Sequence, residues 1–154
     1  MNLNFRLLGV VSLLTGMISL SPCLAAEVGV VGKGHSNLEI SEARVFAPRK
    51  GSNTTAAYAI LKNTSDKPMQ ITFQKMAPFK SVEIHESLEK DGRMAMQKLE
   101  SLTIPAKSLL ELKPGSHHFM LFDATASLKE GEMLTGQLSI DGQATDISFK
   151  VVPR

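Results

Sequence analysis

The sequence predicts an all-β fold, an antiparallel Greek-key β-sandwich or barrel, and three observations predict it. Apolar and polar residues alternate through short runs. Turn-forming clusters rich in Gly, Pro, Asn and Asp interrupt those runs at intervals of roughly 8 to 12 residues. No helical pattern is long enough to carry a crossover between parallel strands.

Taken in order, Leu38–Phe46 opens the pattern, with Leu38 and Ile40 alternating with Glu39 and Ser41. The step Pro48-Arg49-Lys50-Gly51-Ser52-Asn53 ends it, and Thr55–Leu61 follows. A second cluster, Asn63-Thr64-Ser65-Asp66-Lys67-Pro68, precedes Met69–Met76. Further strands are read at Ser81–Ser87, Arg93–Lys98, Leu102–Ile104, Ser108–Leu112, His117–Phe122, Leu134–Ile140 and Thr145–Val152. Asp91-Gly92, Pro105, Pro114-Gly115, Lys129-Glu130-Gly131 and Asp141-Gly142 separate them. Asp-Gly between two alternating runs is a strong hairpin signal, because both residues accept the positive φ that a tight two-residue turn demands. Ala124–Glu130 is too short and too closely bounded by Gly to be more than a turn.

A chain of 154 residues is long enough for one domain with a real core. Its 43% apolar and 21% charged residues are those of a folding globular chain. The charge balance is 17 Lys+Arg against 15 Asp+Glu with no basic cluster, which argues against a nucleic-acid partner. Residues 1–26 read as an export signal: the charge Arg6, an apolar run from Leu7 to Leu20, and small residues at Ala25 and Ala26, where cleavage is expected. That run is shorter than the roughly 20 residues of a membrane-spanning helix, so the mature chain is expected to be exported and to have no membrane span. Lipidation of Cys23 is disfavoured by Pro22 immediately before it. Residues 27–37 form a Gly-rich lead-in expected to be flexible, and 38–154 the β-domain.

Removing the signal removes the one Cys and leaves six Met: Met69, Met76, Met94, Met96, Met120 and Met133. In an exported chain without thiols, the thioether is the remaining soft metal ligand. Strand parity then sorts the candidates. If Val82 and Ile84 face the core, His85 faces outward with Glu83. If Phe119 and Leu121 face the core, His118, Met120 and Phe122 share the other face. On Arg93–Lys98, Met94 and Met96 share one face. His118 and Met120 lie about 6.6 to 7 Å apart along one strand, a gap two side chains can close around one ion. His85 and Met96, each on a strand flanking a short turn, are the natural further donors, giving two imidazoles and two thioethers. An outward His is most often merely solvated, and a Met in a β-rich chain is most often core filler. Met69, Met76 and Met133 are read as filler, and His35 and His117 as lacking a convergent partner. Met94 is either an alternate ligand or a cover.

The spacing His85, ten residues, Met96, twenty-one residues, His118, one residue, Met120 resembles the complete motif of the PCu(A)C family of periplasmic copper chaperones. The resemblance extends over about Ser41 to Val152, through Ala56–Asn63, Val82-Glu83-Ile84-His85-Glu86, Ile104-Pro105-Ala106, Leu112–Gly115 and Leu128–Gly131. Two departures are visible: no aromatic residue precedes the first strand at Ser41–Arg44, and no His/Met-rich tail follows the last. The resemblance implies a cupredoxin-like sandwich that binds one copper ion. It also implies delivery to an acceptor, the dinuclear copper centre of cytochrome c oxidase, alongside a Sco-type thioredoxin-like partner.

The donor chemistry agrees with that implication. Thioether with imidazole selects Cu(I) over Ca²⁺ and Mg²⁺, and over Zn²⁺ by preference, and a blue-copper electron carrier would need a Cys thiolate. Thioethers take up no proton, whereas imidazole as a class titrates near pH ~6.5, so affinity is expected to fall below that pH. Each imidazole is expected to be oriented by an acceptor, with Glu83 and Glu86 the nearest in sequence. An enzyme is not expected, because no Ser-His-Asp set, carboxylate pair or thiol nucleophile stands at readable spacing. The alternative from a different class is a metal-independent interaction module that uses the Met face as an adaptable apolar contact.

Overall fold

A computed structural model describes residues 37–90 and 92–154; the expected signal, Cys23, His35 and most of the lead-in lie outside them. Ten strands and no helix are found among the described residues. They are β1 (Leu38–Phe46), β2 (Thr55–Asn63), β3 (Met69–Met76), β4 (Phe79–Lys90), β5 (Arg93–Leu99), β6 (Leu102–Ile104), β7 (Leu109–Glu111), β8 (His117–Ala124), β9 (Met133–Ile140) and β10 (Gln143–Val152). The hydrogen-bonded order is β5-β4-β8-β2-β1-β10-β9-β3-β6, with β7 joining β2 beyond β8. The pairing is antiparallel throughout except between β1 and β10, where Arg44, Val45 and Phe46 run parallel to Lys150, Val151 and Val152. This departs from the wholly antiparallel expectation: the first and last strands meet in the same direction, which no hairpin signal reports.

The path folds over on itself around one core. Phe119 of β8 and Phe73 of β3, distant in strand order, lie with ring centroids 4.6 Å apart, and Phe149 of β10 stacks on Phe73 at 6.1 Å. Alternation builds this core directly in β10, where Thr145, Ile147, Phe149 and Val151 are all buried. In β1 and β3 the buried residues change parity, from Leu38 and Ile40 to Val45 and from Ile71 and Phe73 to Met76. Each change coincides with a bulge, between Ser41 and Arg44 and between Phe73 and Lys75. One extra residue in the strand returns the next apolar side chain to the core face. Glu42 at φ 52 takes the strained backbone at the first bulge.

Asn63 ties the end of β2 to the loop after β6. Fully buried, its Nδ2 donates to the carbonyls of Lys67, Ile104 and Pro105 at 2.7, 3.1 and 3.1 Å. Its Oδ1 accepts from the backbone N and the hydroxyl of Ser65 at 2.9 and 2.7 Å. A buried amide satisfied on both ends holds its loop without leaving an orphan group.

Met69 and Met76 are core filler as expected, at 2% and 1% exposure, but Met133 is not. It begins β9 at the surface, 58% exposed, because the inward parity of that strand belongs to Leu134, Gly136 and Leu138. At Gly136 an added Cβ would lie 2.8 Å from Met76 Cε and 3.1 Å from both Phe73 and Phe149. The thioether end can yield, whereas the two packed rings cannot. Gly136→Ala is therefore expected to destabilise the fold by about 1–3 kcal/mol, read as a lower urea midpoint at unchanged m-value. An unchanged or raised midpoint would show that the core accommodates the methyl.

Candidate metal-binding site

The registers of β4 with its two neighbours bring the sequence candidates onto one face. His85 lies directly opposite His118 across β4 and β8, and directly opposite Lys98 across β4 and β5. Met120 is opposite Glu83 and Met96 opposite Ser87, so each Met is a diagonal neighbour of His85. Directly opposed side chains start about 5 Å apart and diagonal ones about 7–8 Å, the latter within reach of a long side chain. His85 is thus the hub of the four. Met94 shares their face but stands opposite Glu89, two residues nearer the hairpin tip, farther from both imidazoles than Met96.

The two rings are 5.9 Å apart, centroid to centroid. A bond of about 2.0–2.1 Å from metal to imidazole nitrogen, with about 1 Å more to the ring centre, puts two rings on one ion roughly 5 to 6 Å apart. The observed spacing fits. A frame of aromatic rings flanks the pair, with Tyr58 6.3 Å from His118 and Phe122 6.3 Å from His85. His118 is on the outer face as parity requires, yet only 4% exposed. Tyr58 covers it from β2, while the ring of Tyr58 is itself capped by the Arg44 guanidinium at 5.9 Å. Burial raises the Tyr58 hydroxyl above its ordinary pKa, against the opposing pull of Arg154 and Arg44.

Each imidazole has one nitrogen engaged. His85 Nε2 is 2.7 Å from Glu83 Oε2, and its Nδ1 is buried with no partner. His118 Nδ1 is 3.1 Å from the carbonyl of Ser116. A buried ring nitrogen with no hydrogen-bond partner is what a metal ligand looks like before its metal arrives. Glu83 is the acceptor expected for His85. The expectation fails for Glu86, which reaches His117 at 3.5 Å on the opposite face of the sheet. The Ser116 carbonyl takes that part for His118, a backbone group that no sequence pattern announces. Lys98 completes the arrangement by donating to Glu83 Oε1 at 2.9 Å.

Among the described residues no three His, Cys, Asp or Glu side chains converge for a metal, so two imidazoles alone would need other donors. The soft donors available on this face are thioethers. Met120 is half-buried, whereas Met96 and Met94 are each 66% exposed on β5.

The family model described as "Putative lipoprotein LpqE-like" matches residues 38–152. The "Putative lipoprotein Lxx21020" of Leifsonia xyli subsp. xyli is 31% identical over 144 residues, 92% of this chain and 86% of that one. Among solved structures, the Cu(I) form of DR1885 from Deinococcus radiodurans superposes with a TM-score of 0.62 at 28% identity, covering 84% of this chain and 80% of that one. The copper-bound PCuAC domain from PmoF2 gives a TM-score of 0.66 at 19% identity over 80% and 98% of the two chains, a likeness of fold. The chain belongs to the LpqE-like family and shares the fold of the PCuAC domains.

The hydrogen bond from His85, then that from Lys98, lowers the Glu83 pKa from its ordinary 4.5, and Glu83 in turn raises that of Lys98. A lowered folded pKa gives stability that is present above the unfolded value and lost as pH falls through the folded one. The raised Lys98 gives stability present below its unfolded value and lost as pH rises through the folded one. Glu83→Gln is expected to remove both, so that the urea midpoint of the variant declines less than that of the native chain below pH 4.5. Parallel acid limbs in the two proteins would show that this ion pair contributes nothing to folding.

Proposed function

We propose that this protein is an exported Cu(I) chaperone that binds one ion through His85, Met96, His118 and Met120 and passes it to an acceptor protein. The observation that carries the reading is the register pair His85 opposite His118, with a thioether diagonal to His85 on either side. Two neutral imidazoles and two neutral thioethers offer no charge to a dication and two soft donors to a monocation, which favours Cu(I). Without thiolate, the site yields copper to a partner that offers Cys ligands, as a carrier must. The copper-bound forms among its structural neighbours support the cargo. The lipoprotein name of its relative supports export and a location at the cell envelope, which we take as the periplasm.

The acceptor we favour is the dinuclear copper centre of cytochrome c oxidase, reached directly or with a Sco-type thioredoxin-like protein. The chain itself performs no reaction on this reading. The 66% exposure of Met94 and Met96 also suits a metal-free docking module. Metal dependence separates the two, since such a module would engage its partner equally well without copper.

A competitive Cu(I) titration of residues 27–154 against a chromophoric chelator is expected to show one tight equivalent. Replacing one or two ligands should exceed the 10–100-fold effect typical of an outer-shell change. The double variant Met96→Leu, Met120→Leu is therefore expected to bind more than about 100-fold more weakly, and oxidation of the methionines to sulfoxide to act in the same direction. Binding indifferent to both treatments would discard the ligand set.

A further inference from the structure

The two imidazoles of this site are held in opposite ways. We propose that Glu83, braced by Lys98, is a positioning residue that commits His85 to the Nε2–H tautomer and presents Nδ1 to copper, while the Ser116 carbonyl makes His118 present Nε2. This deepens the copper reading and rests on it.

A neutral imidazole carries one ring proton, and the partner of each nitrogen decides where it resides. A carboxylate oxygen can only accept, so the 2.7 Å contact between His85 Nε2 and Glu83 Oε2 places the proton on Nε2. The lone pair is left on Nδ1, the buried ring atom that has no partner. A peptide carbonyl likewise only accepts, so the 3.1 Å contact to Ser116 places the His118 proton on Nδ1 and the lone pair on Nε2.

The strand geometry explains why the two differ. Glu83 lies two residues before His85 on the same face of β4, so its carboxylate reaches the far nitrogen of that ring. Ser116 lies just ahead of β8, and its backbone oxygen reaches the near nitrogen of His118. Lys98 is directly opposite His85 and holds the second carboxylate oxygen at 2.9 Å, which stops Glu83 from rotating away. Both lone pairs are therefore committed before metal binds, and the ordering is complete in the apo protein.

The test is long-range ¹H–¹⁵N correlation of the imidazoles in metal-free protein, followed by Cu(I) titration. The native chain is expected to show His85 as the Nε2–H tautomer and His118 as the Nδ1–H tautomer, with Cu(I) shifting His85 Nδ1 and His118 Nε2. Glu83→Ala is expected to convert the His85 signals to a tautomer mixture, leave those of His118 unchanged, and weaken Cu(I) binding about 10–100-fold. Glu83→Gln, which keeps an accepting oxygen, should recover part of both. The Nδ1–H tautomer at His85 in the native protein, or signals and affinity unmoved by Glu83→Ala, would overturn the proposal. Native protein with the expected tautomers and no affinity for Cu(I) would instead overturn the function, with the hold of Glu83 on the ring left standing.

Discussion

The antiparallel pairing of β4 with β8 is the constraint on which the site depends. It sets His85 against His118 and Glu83 against Met120, and at the same time sets Ile84 against Phe119 and Val82 against Leu121. A slip of one residue would turn every one of these side chains to the other face. Ile84, Phe119 and Leu121 are buried, so such a slip would expose part of the hydrophobic core and bury charged side chains in its place. The register that aligns the two imidazoles is thus enforced by core packing on the opposite side of the same strands. The register of the site comes from the sandwich, within which the contacts of Glu83 and of the Ser116 carbonyl meet the two rings.

The immediate surroundings are apolar on two sides and charged on one. Tyr58 and Phe122 stand beside the imidazoles, and Glu83 is the carboxylate in contact with His85, its charge shared with Lys98. A set of neutral donors in such a setting discriminates by softness and by charge together. The thioethers of that set have no proton to give up when metal enters.

Much of the architecture could be read from alternation alone, since strand parity depends on burial of one face and needs no knowledge of partners. The ten strands are found where alternation and turn residues place them, with several ends coinciding and the rest displaced by at most three residues. Parity also sets His85, His118 and Met120 on outward faces and puts Met94 and Met96 on one side of their strand. Pairing was less accessible. The parallel contact of β1 with β10 joins residues separated by most of the chain, and nothing local encodes it. The bulges were legible in hindsight, as the three-residue step from Phe73 to Met76 and the five-residue step from Ile40 to Val45, both of which break period two. Met133 departs from the core-filler expectation because apolar character alone does not report strand parity. The Ser116 carbonyl has no sequence signal because main-chain oxygens carry no residue signature, whereas Lys98 is signalled only by sharing the parity of Met96.

The four proposed donors do not ride on equally secure elements. β4 and β8 are interior strands, each hydrogen-bonded on both sides, whereas β5 closes one end of the sheet and is bonded only to β4. From Arg93 to Lys98 every residue of β5 is exposed, so few apolar contacts pin it down. Segments of this kind open on their own, at a free energy well below that of global unfolding. Peeling back β5 would carry Met96 away and leave both imidazoles and Met120 in place, lowering the coordination number by one while the core stays folded. An incoming thiolate would then meet a three-coordinate ion on an intact platform. On the proposed function, the rate of handover would follow the breathing of one hairpin, observable as fast amide hydrogen exchange in β5 and in the β4 amides bonded to it.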